Sequence, residues 1–170
     1  MDRIQIRPVK YGDDKFLTKL MNHPVLMNRL HQTETAEEDW KEAIQLWLLD
    51  PDEEGYITEV DGSPAGWFAV NGLTERKPYI KIAVLLPEFQ GRGIGTRVLS
   101  LLIEALREEG YGQVRLFVDR DNLHAIACYE GCNFQIVGAV TQEWPDGTVC
   151  EQLEMERKLF QEGQYETIRK

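Results

Sequence analysis

Cysteine is scarce in this chain, and the three that occur, Cys128, Cys132 and Cys150, are odd in number. They make no disulfide framework and fit a reducing compartment. Long hydrophobic runs are also missing, since none approaches the ~20 apolar residues that span a bilayer. The opening Met1-Asp-Arg-Ile-Gln-Ile-Arg7 alternates as a strand does and lacks the apolar core of a signal peptide. The expectation is a cytoplasmic protein with no membrane partner. Basic residues are outnumbered, 19 Lys and Arg against 29 Asp and Glu, for a formal net charge of −10. A nucleic-acid binder would normally carry a basic patch, so nucleic acid is not expected as a partner, whereas a cationic ligand is compatible with the charge. No internal repeat, low-complexity segment or linker divides the chain. No Gly-Lys pair precedes a Ser or Thr, which removes the P-loop reading.

What is present is ordinary for a soluble domain: 170 residues, 42% hydrophobic and 28% charged. One domain over residues 1–160 is expected, with a polar tail at 161–170. Alternation predicts a strand at 3–9, and the spacing of Phe16, Leu17, Leu20 and Met21 predicts a helix over 13–21. Residues 24–34 read as a second helical turn or an ordered loop. Thr35-Ala-Glu-Glu38 matches a capping box, opening a helix to about Leu49 that buries Trp40, Ala43, Ile44, Trp47 and Leu48. Asp61-Gly62 signals a hairpin between 56–60 and 64–70. A strand over 79–86 follows. After the next helix come a strand at 113–118, a helix at 123–130, and two strands over 134–140 and 148–159. Hairpins with two helical crossovers predict a mixed α/β sheet.

The stretch Ala83-Val-Leu-Leu-Pro-Glu-Phe-Gln90-Gly-Arg-Gly93-Ile-Gly95-Thr96 organises the chain. It reads as a buried strand, a proline-marked break, a loop with glycines at 91, 93 and 95, and an amphipathic helix on Ile94, Val98, Leu99, Leu102 and Leu106. Glycines let backbone N–H groups approach a ligand, and a helix start offers unpaired amides and a positive dipole end. Together they suit a pyrophosphate-like anion. A dinucleotide fingerprint fits less well, because this loop follows a hairpin in mid-chain.

The residues around the loop sharpen the reading. Leu85-x-Pro87-x-x-Gln90-Gly-Arg-Gly93-Ile-Gly95 resembles the acetyl-CoA-binding signature of the GNAT superfamily of N-acetyltransferases, Q/R-x-x-G-x-G/A. Asn122, followed seven residues later by Tyr129 and then by Gly131-x-x-Phe134, is similar to the family's second signature. Leu153-x-Met155-x-Arg157-x-Leu159 is similar to its usual last strand. The resemblance covers about residues 3–160. It implies a single-domain, largely antiparallel mixed sheet of about seven strands with about four flanking helices.

The same resemblance implies acetyl-CoA as cosubstrate and a small-molecule or peptide amine as acceptor, with no metal; a homodimer is compatible with it. The strand before the loop would bulge, freeing the backbone groups of Ala83, Val84 and Leu85 to pair with the pantetheine arm, and the Leu85 amide would meet the thioester oxygen. The backbone amides of Gly91, Arg92, Gly93, Ile94, Gly95 and Thr96 would hold the pyrophosphate, with Gln90 also in the cofactor site. Asn122 would lie near the pantetheine, with a competing reading as a helix cap. Tyr129 would protonate the departing thiolate. The general base is open. Ribosomal-protein acetyltransferases of the family carry a glutamate where this chain has Phe117, and others carry an acid where it has Ile80 and Lys81. Glu75, Asp119 and Glu143 are the candidates acting through water. Segments 22–34 and 71–78 would wall the acceptor site.

His124, Cys128 and Cys132 share a helical stripe, but three ligands with buried-type cysteines favour packing over a metal. Trp40, Trp47 and Trp67 read as core. The rival from another class is a non-catalytic acetyl-CoA-binding sensor; a nucleotide-binding protein ranks third.

Overall fold

The computed structural model describes residues 2–160; the tail expected at 161–170 lies outside the described residues. The chain runs β1 (Ile4–Pro8), α1 (Asp14–Met21), α2 (Pro24–Arg29), α3 (Glu37–Leu49), β2 (Glu54–Val60), β3 (Ser63–Asn71) and β4 (Tyr79–Leu85). It continues through α4 (Ile94–Glu108), β5 (Gln113–Asp119), α5 (Leu123–Gly131), β6 (Gln135–Glu143) and β7 (Val149–Lys158). The seven strands form one sheet in the order β1-β2-β3-β4-β5-β7-β6. Among the described residues, only β4 and β5 are parallel neighbours. The expected mixed, largely antiparallel sheet is present, with five α-helices among the described residues where about four were expected. The extra one is α2, which Pro24 starts at its first position and His23 caps by accepting from the Val25 amide.

Helical periodicity decides which face of the sheet each helix covers. Leu17, Leu20 and Ile44 of α1 and α3 pack on Ile57, Trp67, Ala69, Val84 and Leu86. The expected tryptophan core is here too: Trp40, Trp47 and Trp67 stack and tilt against one another with ring centroids 5.2–6.2 Å apart. On the opposite face, Ile94 and Val98 of α4 pack on Val60, Ala65, Phe68 and Leu85. Farther along α4, Leu99, Leu102, Ile103 and Leu106 pack on Val114, Leu116, Phe134 and Met155. Each such fully buried aliphatic side chain stabilises the fold by roughly 1.5–3 kcal/mol. Asp61 and Gly62 both adopt positive φ (51° and 84°), the twist that a two-residue hairpin requires.

Two local expectations fail. Thr35 and Glu38 form no capping box, and Ala36 sits at the N-cap position without a side-chain bond. The Thr35 N–H donates to Asn22 Oδ1 at 2.9 Å, while Asn22 Nδ2 donates back to the Thr35 carbonyl at 2.7 Å. That bridge to α1 takes the backbone a cap would have used. Leu48 is exposed rather than buried, because α3 turns it away from the sheet.

The architecture opens where β4 and β5 part. Their ladder holds only Tyr79 opposite Arg115 and Ile80 opposite Leu116. Just beyond, β4 carries one residue more than β3: Ala69 faces Ile82 and Val70 faces Ile80, leaving Lys81 as a bulge. A bulge bends and twists its strand. From Ile82 onward β4 has no partner on its β5 side.

Candidate active site

The open edge of β4 has a defined polarity. Leu86 donates its N–H to the Ala65 carbonyl at 2.8 Å, so that pair is of the hydrogen-bonded type. Antiparallel pairs alternate, and the register places Leu85 opposite Gly66, Val84 opposite Trp67 and Ala83 opposite Phe68. Ala83 and Leu85 therefore turn their N–H and C=O groups into the gap. Val84 turns its own toward β3, which corrects the expectation that its backbone serves a ligand; its side chain is core. The Leu85 carbonyl accepts from Gln90 Nε2 at 2.9 Å, and Gln90 Oε1 accepts from Arg29 Nη1 at 2.7 Å. Gln90 thus ties the end of β4 to α2.

The glycine loop follows. Gly91 and Gly93 hold φ of 73° and 74°, with Gly93 as the N-cap of α4. A Cβ at either would touch nothing within 4 Å, so it is the backbone conformation that demands glycine. Both are exposed, and the next amides, of Ile94, Gly95 and Thr96, have no intrahelical acceptor. The Ile94 side chain is buried under the sheet, which locks the helix start in place. Arg92 pairs with Asp2 at 2.8 Å and lies over the Phe89 ring, 5.6 Å from its centroid. Open space, orphan amides and nearby guanidinium charge make a cradle that fits a pyrophosphate.

Across the gap stands α5. Asn122 caps it, its Oδ1 accepting from the Ala125 amide at 3.2 Å. Tyr129 packs edge-on to Phe134, with centroids 6.0 Å apart. Burial, helped by the neighbouring thiols of Cys128 and Cys132, pushes its phenol up to about 12. It is protonated at neutral pH, the form that a proton donor needs. Thr96 and Cys128 bring α4 and α5 together, Oγ1 to Sγ at 3.3 Å. The His124 stripe does not converge: His124 is exposed, whereas Cys132 is in the core.

Of the three candidate bases, Glu75 and Glu143 are exposed. Asp119 is different. It ends β5 on the same strand face as Phe117 and accepts from Gln152 Nε2 at 3.1 Å. Its Oδ2 lies 2.7 Å from His31 Nε2, and its Oδ1 3.6 Å from the Cys150 thiol. His31 comes from the α2–α3 connection with φ of 55° and stacks on Trp144 at 5.1 Å and 13°. Sequence reading missed His31, Trp144, Cys150 and Gln152. The one signal for His31 was its place in segment 22–34. Among the described residues, His31, Asp119 and Cys150 are also the group whose donor atoms all lie within 4.8 Å of one another. The position expected to hold an acid, Lys81, instead pairs with the buried Glu53 at 3.1 Å.

Comparison with known proteins matches this geometry to a family. The sequence model described as "Acetyltransferase (GNAT) family" matches residues 19–134. The spermidine N(1)-acetyltransferase of Escherichia coli is 26% identical over 153 residues, 83% of this chain and 77% of that protein. A mycothiol acetyltransferase of Nocardiopsis dassonvillei is 29% identical over 142 residues, 78% of this chain. The chain spans 43% of that relative's length and 46% of an N-acetyltransferase from Methanocaldococcus jannaschii. Among solved structures, spermidine N-acetyltransferase from Vibrio cholerae, in complex with CoA and spermine, superposes with a TM-score of 0.82 at 19% identity. The match covers 92% of this chain and 95% of that one. From the matched span and the shared fold, the chain belongs to the GNAT acetyltransferase family.

Proposed function

We propose that this protein transfers an acetyl group from acetyl-CoA to a primary amine by direct attack in a ternary complex. The observation that carries the reading is the open edge of β4, with the Ala83 and Leu85 amides aimed into the gap where β4 and β5 part, beside the glycine cradle. Acetyl-CoA supplies the activated acyl carbonyl when bound. The amides of Gly91 to Thr96 hold its pyrophosphate. The Ala83 backbone pairs with the pantetheine arm, and the arm passes the exposed Asn122.

Leu85 donates its N–H to the carbonyl oxygen as charge develops there; removing such a donor costs about 3 kcal/mol in comparable sites. Tyr129 gives its phenolic proton to the departing sulfur. The acceptor is a cationic amine, in keeping with the net charge of −10. Relatives named for spermidine and mycothiol support an amine-bearing small molecule and leave its identity open.

The test is thiol release from acetyl-CoA across polyamines, amino acids, aminoglycosides and peptide N-termini. Turnover with one amine class is the expected result. Saturable acetyl-CoA binding without release on any amine would favour the non-catalytic sensor.

A further inference from the structure

We propose that His31, held by Asp119, is the general base that removes the proton from the acceptor's ammonium group. The inference rests on the acetyl-transfer reading above and adds the residue which that reading lacks.

Position comes first. The segment leading out of α2 is tied at two points. Arg29 reaches Gln90, just past the end of β4, and His31 reaches Asp119, at the end of β5. Two residues of one chain segment therefore bridge the mouth of the gap between these strands. This is where an amine must arrive to attack a thioester lying along the open edge of β4. α1 and α3 lie on the sheet face that carries Val84, and α4 lies on the other. His31 thus approaches from the face opposite the glycine cradle and leaves the donor's path clear.

The proton arrangement comes second. A carboxylate only accepts, so in the neutral imidazole the 2.7 Å contact to Asp119 assigns the proton to Nε2 and leaves the lone pair on Nδ1. Asp119 is held in turn by Gln152 and by the Cys150 thiol, and Trp144 donates its indole N–H to Cys150 Sγ at 2.9 Å. The His31 ring is fixed in its plane by the Trp144 stack and in its rotation by Asp119. This orientation of a base by a third group is the arrangement that active sites use to keep an imidazole in the working tautomer. Its Nδ1 faces Asp146 Oδ2 at 4.0 Å. Two acceptors facing each other across that distance call for a donor between them, and a primary ammonium can give an N–H to each. Asp146 would hold the charge while Nδ1 takes the proton.

The step balances. The N–H electron pair of the ammonium stays on nitrogen, and the Nδ1 lone pair forms the new N–H bond, giving an imidazolium stabilised by Asp119. The freed nitrogen pair bonds to the acyl carbon, and the carbonyl π pair moves to oxygen beside the Leu85 amide. When that pair returns, the C–S bond breaks and sulfur takes the Tyr129 proton. The second nitrogen proton restores the phenol through solvent, and His31 releases its proton to water. The sum is ammonium plus thioester going to amide, thiol and one proton.

The experiment measures kcat and KM from about pH 6 to 10 for the whole chain and for His31→Gln, Asp119→Asn and Asp146→Asn. Acetyl-CoA affinity, by calorimetry, reports that each variant is folded. The charged or titratable groups facing His31 are Asp119 from β5, Asp146 from the β6–β7 turn and, through Asp119, Cys150 from β7. His31→Gln should lower kcat about 100-fold near neutral pH with acetyl-CoA affinity unchanged. Its rate should climb with pH and approach the parent as the amine loses its own proton near pH ~10. Asp119→Asn, a positioning change, should lower kcat about tenfold and move the acid limb of the profile. Asp146→Asn should act on the amine's KM.

An unchanged kcat in His31→Gln, or a loss equal at every pH, overturns the proposal while leaving the acetyl-transfer reading intact. Activity that vanishes on chelation and returns with zinc also overturns it, assigning His31, Asp119 and Cys150 to a metal. A parent protein that binds acetyl-CoA yet turns over no amine overturns both readings.

Discussion

The two sides of the β4–β5 gap are built on different plans. The donor side is one contiguous stretch, from Ala83 through Thr96, and it works mainly with backbone: strand amides, left-handed glycines and a helix start. The proposed acceptor side is assembled from three distant segments, and it offers side chains: His31, Asp119 and Trp144. A backbone site tolerates change in most side chains, which suits an invariant ligand such as the pyrophosphate and pantetheine of the proposed donor. A side-chain site changes with single substitutions, which suits a variable acceptor.

The contrast can be broken or sharpened by variants that act on one side only. The largest effect is expected at Tyr129, the proton donor of the proposed reaction. Tyr129→Phe should lower kcat by about 10²–10⁴-fold while acetyl-CoA binding stays intact, read by thiol release and calorimetry. Gly93→Val puts a branched side chain at φ 74° and should drive the loop from its cradle. At about 1–2 kcal/mol of strain, acetyl-CoA affinity should fall roughly five- to thirtyfold in calorimetry, with the amine's KM unmoved. Trp144→Ala should do the reverse. Losing the ring stack, about 0.5–1.5 kcal/mol, should lower the amine's kcat/KM roughly two- to tenfold in initial-rate measurements and leave acetyl-CoA affinity alone. Asn122→Ala removes the α5 cap, worth about 1 kcal/mol, and should lower Tm by roughly 2–4 °C in a thermal melt. Equal effects of Gly93→Val and Trp144→Ala on both substrates would dissolve the distinction.

The same division explains what could be read without the structure. The glycine loop, the buried stripe of α4 and the Asp61-Gly62 turn are local, and spacing in the sequence announces each of them. Asn122 as a cap and Tyr129 on the same helix were legible for the same reason. The parting of β4 and β5 was legible only through the family resemblance, which implies a bulge in the strand before the loop; no spacing in the sequence announces it. It depends on the Lys81 bulge, which exists only in the register between β3 and β4. Backbone direction at Val84 follows from that register too. His31 and Asp119 lie 88 positions apart, and no periodicity links them. Thr35 fails as a cap because a tertiary bridge from Asn22 outcompetes a local one. Asp119 was among three acids that the sequence could not rank; the fold separates it by giving it a histidine.

In the proposed reaction the acetyl group passes directly between two substrates meeting in the gap, without an acyl-enzyme. Initial rates of thiol release with acetyl-CoA and the amine both varied test it most directly. Intersecting double-reciprocal lines are the predicted result. Parallel lines would mean that the acetyl group rests on the protein between substrates, and would contradict the account.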